Sequence, residues 1–202
     1  MEIVGPSSEV AMIATFLRAE IASPRHGAAL LTLLAHDGVD RATIDTPELA
    51  DDAANVYRRA LLGAFRGYGQ DRELFVGFPL RMRWQRATLT QAELATVRYI
   101  AYDYWIALSG GTRLAPEAAR RIRAGETIYG VANEGFWQLA DLWAARAPFP
   151  ELIFVASGSA APLVLLEGHA RLTAYFLRLE RMPAPLTAIV GFAPDLPSWS
   201  LY

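Results

Sequence analysis

Five consecutive residues, Glu167-Gly168-His169-Ala170-Arg171, gather a carboxylate, a glycine, an imidazole and a guanidinium at one point of the chain. They follow the apolar run Leu163 to Leu166 and precede Leu172, Ala174, Tyr175 and Phe176, a pattern that predicts a short strand breaking at Gly168 and turning directly into a helix. A helix start leaves main-chain N–H groups without partners, and its dipole favours anions. Glycine lets an anion approach the backbone, and Arg171, one turn in, can fork onto phosphate oxygens. The chemistry indicated is phosphate or nucleotide binding. An ordinary strand-to-helix turn carrying a surface arginine fits the same residues, because short glycine motifs recur by chance.

Composition removes other chemistries. The chain has no Cys, which excludes disulfides, thiolate catalysis and Cys-ligated zinc. It has no Lys either: all 19 basic residues are Arg. That excludes a Walker A loop, a kinase-type lysine and Schiff-base chemistry. Arginine in place of lysine, with abundant alanine, has the look of a GC-rich bacterial genome. His26, His36 and His169 stand far apart, so a histidine-built metal site is not expected. No G-x-S-x-G elbow is present, and Ser157-Gly158-Ser159 reads as a turn between strands. A net charge of −2 does not favour nucleic acid, although Arg81, Arg83 and Arg86 offer a local basic strip. Without a long apolar run or a signal-like N-terminus, a cytoplasmic protein with no membrane segment is expected.

The elements that must position the five residues divide into a helical front and a mixed back. Val10, Ile13, Ala14, Leu17 and Ile21 recur at helical spacing after Ser7-Ser8, and a second apolar segment runs from about Gly27 to Ala35 and stops at Asp37-Gly38. Asp45-Thr46-Pro47 predicts the cap and first turn of a third helix, ending at Gly67-Tyr68-Gly69. Leu74, Val76 and Phe78, then Leu80, Met82 and Trp84, alternate as strands do. The capping box Thr90-Gln91-Ala92-Glu93 predicts a helix reaching Leu108, with Asp103 buried among aromatics and tied to an arginine. Helices over 116–124 and 133–145, strands over 152–156 and 186–190, and a tail held by Trp199 complete the pattern.

The order helix (133–145), strand, strand, Gly-x-x-Arg, helix (169–179), strand resembles the ParB/sulfiredoxin-like superfamily. The residues that carry the resemblance are Pro150 to Val155 and the Gly168, Arg171, Ala174, Tyr175 signature. It implies an α+β fold: a mixed ParB/sulfiredoxin-like sheet with helices over 71–202, preceded by a helical N-terminal region over 1–70 packed on that core. Sulfiredoxins place a catalytic Cys where His169 stands, so their chemistry is excluded. Chromosome-partition members carry a second Arg where Ala170 stands and a helix-turn-helix after the domain. The free-serine-kinase branch is the most similar, matching at Glu167, Gly168, His169 and Arg171 and departing at Ala170.

That branch implies an ATP-dependent phosphotransferase acting on a small hydroxyl-bearing metabolite. Gly168, His169, Ala170 and Arg171 would hold the phosphates of ATP or another nucleoside triphosphate. His169 would bond or protonate a γ-phosphate oxygen near neutral pH, and Glu167 would hold Mg2+ or take the hydroxyl proton. Arg113, in the glycine turn Ser109 to Arg113, is a second anion-binding candidate. Glu93, Asp103, Glu126 and Glu134 are further carboxylates. The alternative is a non-catalytic nucleotide-sensing module whose helical N-terminal region binds another protein or a second copy.

Overall fold

The computed structural model describes residues 1–202 as an α+β fold around one mixed six-stranded sheet. In chain order the elements are β1 (Glu2–Pro6), α1 (Glu9–Ile21), α2 (Gly27–Asp37), α3 (Ala42–Asp45), α4 (Asp52–Arg66), β2 (Arg83–Leu89), α5 (Gln91–Leu94), β3 (Arg98–Tyr99), α6 (Asp103–Leu108), α7 (Ala115–Arg123), α8 (Glu134–Ala144), β4 (Leu152–Ala156), β5 (Val164–Glu167), α9 (His169–Leu177) and β6 (Leu186–Phe192). The strand order is β1-β2-β6-β4-β5-β3. β6 pairs antiparallel with β2 and parallel with β4; β4 and β5 are antiparallel.

Strand alternation sends successive side chains to opposite faces, and each face carries its own helical layer. Leu152, Phe154, Ala156, Leu165, Ala188 and Val190 pack with residues of α7, α8 and α9. Ile153, Val155, Val164, Leu166 and Ile189 pack with Met12, Phe16, Leu17, Leu30, Leu34 and Leu62 of the front helices. All of β4 is buried, which is why it reads as an unbroken apolar run. The tail crosses the front face, where buried Trp199 donates from Nε1 to Leu74 O at 2.8 Å and meets Phe78 edge-on.

Local chemistry explains most boundaries. Ser8 caps α1 by accepting from Ala11 N, and Gly38 and Gly67 end α2 and α4 in the left-handed conformation. Elsewhere the structure corrects the sequence reading. The helix expected to open at Asp45-Thr46-Pro47 begins at Asp52, capped by Asp51; Asp45 instead closes α3. The alternation at 74–78 is a 3-10 turn, Glu73–Phe75, in which Leu74 and Phe75 join Phe78 in one core while Val76 is exposed, and the next strand starts at Arg83. The capping box at Thr90 is real but caps only one turn. The expected helix to Leu108 is split by β3, so Tyr99 points from a strand and Asp103 lies exposed in the first turn of α6. The 1–70 region contributes a strand as well as helices: β1 is the sheet edge, paired antiparallel with β2.

Candidate functional site

The five residues singled out above do form a strand–glycine–helix junction. β5 ends at Glu167, Gly168 sits at φ 108°, and α9 begins at His169. A side chain at Gly168 would run into Leu152 Cδ2 and come within 3.2 Å of Arg171 Nη2. Both the backbone angle and the packing therefore require glycine. Leu172 N donates to Gly168 O at 2.8 Å, the first bond of α9, so the N–H groups of the preceding turn have no partner within the helix.

The arginine of the junction is not a surface residue. Arg171 is 7% exposed; its Nη2 donates to Glu167 Oε1 at 2.9 Å and its Nη1 donates to Pro150 O. It therefore braces the end of β5 against the chain entering β4, and an Arg171→Ala change will not spare the fold as a surface arginine would. Glu167 is tied by the same contact. No group of three or more His, Cys, Asp or Glu side chains converges to hold a metal ion. Glu167 thus has no protein partners with which to make a magnesium cage.

His169 is the unsatisfied member. Its ring stacks on Trp105 (centroids 5.0 Å apart, 20° between planes) and lies 5.8 Å from Tyr99. It is buried, and its Nε2 has no hydrogen-bond partner. Burial, then the charges of Arg66 and Arg171, push its pKa down to about 3, so the ring is neutral at physiological pH. That overturns the expectation of an imidazole titrating near neutrality. Beneath it, Thr173 Oγ1 donates to His169 O at 2.8 Å and so accepts from the Tyr99 hydroxyl at 2.6 Å.

Sequence spacing gave no sign of the groups that come to this junction from the front layer. Glu20, near the end of α1, is buried and faces Arg66, from the end of α4, at 3.6 Å. His26 Nε2 lies 3.6 Å from Glu20 Oε2 and 3.3 Å from Arg66 Nη1. Burial and the charge of Glu167 raise the Glu20 carboxyl to about 7. Burial, with Arg66 and Arg25, lowers His26 to about 4. The imidazoles are thus uncharged and Glu20 holds only part of a charge near pH 7. Each guanidinium has its own carboxylate, Arg66 with Glu20 and Arg171 with Glu167. Of the five buried polar side-chain atoms without a partner, two, Arg66 Nε and His169 Nε2, belong to this cluster. A partnerless buried ring nitrogen at a helix start, with two guanidinium groups acting on it, is an arrangement that can accommodate an anion.

The remaining candidates lie elsewhere. Arg113 is committed to the main chain, donating from Nε to Tyr99 O at 2.7 Å and from Nη2 to Leu201 O at 3.3 Å, which makes it a clasp between β3 and the tail. Glu93 serves its capping box and pairs with the Met1 amine; Glu126 pairs with Arg121. Asp103 and Glu134 are exposed, and none of these four is among the charges that act on His169. In the arginine strip, Arg86 pairs with Glu151 and Arg83 lies over the Phe192 ring. A cleft of about 520 Å³ opens between α1, the 45–49 segment and 149–151, and Arg171 is not among its lining residues. No helix is long and apolar enough to cross a membrane.

Comparison of this chain with protein-family models, with curated proteins and with solved structures finds no match in any of the three.

Proposed function

We propose that the junction at the start of α9 binds the phosphates of a nucleotide, and that the protein is an ATP-dependent phosphotransferase for a small hydroxyl-bearing metabolite. The observation that carries the binding step is the buried, partnerless Nε2 of His169 at a helix N-terminus, on which the charges of Arg66 and Arg171 act. The first-turn N–H groups of α9 and Arg66 supply donors to phosphate oxygens. Neutral His169, its other ring nitrogen directed at the Leu165 carbonyl, presents Nε2 as an acceptor for a hydroxyl of the phosphate group or for a water bound to it, and gives up no proton. In the transfer step Glu167 accepts the proton of the acceptor hydroxyl as its oxygen attacks the γ-phosphorus. The bond to the β–γ bridging oxygen breaks and the nucleoside diphosphate leaves. Magnesium, lacking a protein cage here, would arrive on the nucleotide.

A specific observation favours a second reading, a non-catalytic nucleotide-sensing module. Glu167 is already held by Arg171, and His169 is not a proton donor at neutral pH. Calorimetric titration with ATP, ADP and CTP, with and without magnesium, tests binding; Arg66→Met, a half-buried position, is the variant of choice. Loss of affinity in Arg66→Met with an unchanged melting curve supports the site. Wild-type protein that binds no nucleotide removes both readings. Release of γ-phosphate only when hydroxyl acceptors are added separates the enzyme from the sensor.

A further inference from the structure

An aromatic series leads from the phosphate junction to the surface. His169 stacks on Trp105; Trp105 meets Tyr104 at 5.0 Å, nearly perpendicular; and Tyr104 lies 6.5 Å from Tyr129. Trp105 and Tyr104 are half-buried, whereas Tyr129 is 72% exposed. Tyr129 also makes no hydrogen bond through its hydroxyl, so neither burial nor polar bonding accounts for its place.

Its backbone makes the placement harder to explain by folding alone. Ile128 and Val131 pair across a two-residue turn, Tyr129-Gly130, with both central residues in the left-handed region (φ 53° and 71°). Such a turn takes Asn, Asp or Gly at its first central position; a bulky aromatic there is strained. The chain thus holds an aromatic ring outward, against its own backbone preference, at the open end of a series that starts at His169.

We infer that Tyr129, backed by Tyr104, is the stacking platform for the base of the nucleotide whose phosphates lie at the start of α9. Every nucleobase offers a π-face to such a ring, so the platform supplies affinity for nucleotides as a class with little choice among bases. This rests on the phosphate-binding reading and extends it to the other end of the ligand.

The test compares ATP with inorganic tripolyphosphate, which shares the phosphates and lacks the base. It uses the wild type, Tyr129→Gly and Tyr129→Phe, each titrated calorimetrically and melted thermally. Tyr129→Gly suits the turn better than tyrosine, so its melting temperature should be unchanged or higher. It should bind ATP about ten-fold more weakly, the order expected for one lost base stack. Its tripolyphosphate affinity should not change, and Tyr129→Phe should match the wild type toward both ligands. Equal ATP affinity in Tyr129→Gly and wild type overturns the platform and leaves the phosphate site standing. Parallel weakening of ATP and tripolyphosphate also overturns it, because the loop then acts on the phosphates. A wild type that binds neither ligand removes the phosphate site first, and the platform with it.

Discussion

The two faces of the sheet are built to different rules. On the α7–α9 face, the buried polar pair Tyr99–Thr173 is uncharged and each hydroxyl is satisfied. On the α1–α4 face the apolar packing is just as complete, but its rim carries Glu20, His26 and Arg66; of these, Arg66 acts on His169, and Glu20 interacts with Glu167 and Arg171. The difference teaches where function can reside. A buried pair whose two hydroxyls satisfy each other and the main chain leaves no group for a ligand, whereas His169 Nε2 and Arg66 Nε, where the rim approaches α9, make no hydrogen bond.

The largest expected effect tests whether the faces are one folding unit. Phe154→Ala on one side and Phe16→Ala on the other each empty a fully buried ring, and each should cost ~3–5 kcal/mol in urea denaturation through a single transition. Two separate transitions in either variant would break the picture of one sheet stabilised equally from both sides. Next is Arg171→Met, which leaves Glu167 and the Pro150 carbonyl without their donor. It should cost about 3 kcal/mol, and adding Glu167→Leu should restore much of it, as measured by a double-mutant cycle.

The third effect is visible only as pH dependence. Folded Glu20 titrates near 7 against 4.5 for an unperturbed carboxyl, so the folded state keeps a proton that the unfolded chain has released. Stability from this group is complete below pH 4.5 and is lost as pH rises through 7. Glu20→Gln should match the wild type at pH 4 and exceed it by ~3 kcal/mol at pH 8. His26 and His169, lowered from 6.5 to about 4 and 3, act in the opposite sense: their contribution is complete above pH 6.5 and declines as pH falls toward those values. The smallest effect belongs to the other face. Thr173→Val should cost about 1 kcal/mol, because it removes hydroxyl bonds to Tyr99 and His169, and should do so equally at pH 5 and pH 9. A pH-dependent Thr173→Val would erase the contrast between the faces.

How legible these features were in the sequence depended on whether their cause was local. β4 declares itself as a run buried on both sides, and the β5–Gly168–α9 junction as a glycine between two apolar patterns. The same local logic misled at Thr90, where the capping box specifies one turn of helix and says nothing about the next; Tyr99 then pairs in a strand beside β5. β1 escaped notice because its residues are mostly exposed and show no alternation. The α9 junction was visible, but the burial of Arg171 and the neutrality of His169 were not. Both follow from Pro150, Arg66 and Glu20, which reach the junction from other segments. A residue's type can be read from the chain, while its charge state depends on neighbours that only folding supplies.

The position of β6 in the strand order has a consequence for how the chain acquires its shape during synthesis. β6 is the only link between the β1–β2 pair and the β4–β5–β3 group, yet it is the last of the six strands to emerge from the ribosome. Until residues 186–192 are available, the two halves have no hydrogen-bonding partner in common, and the apolar edge of β4 stays open. The sheet therefore closes in one late, long-range event rather than strand by strand, and nascent chains stalled before β6 are the species most exposed to aggregation.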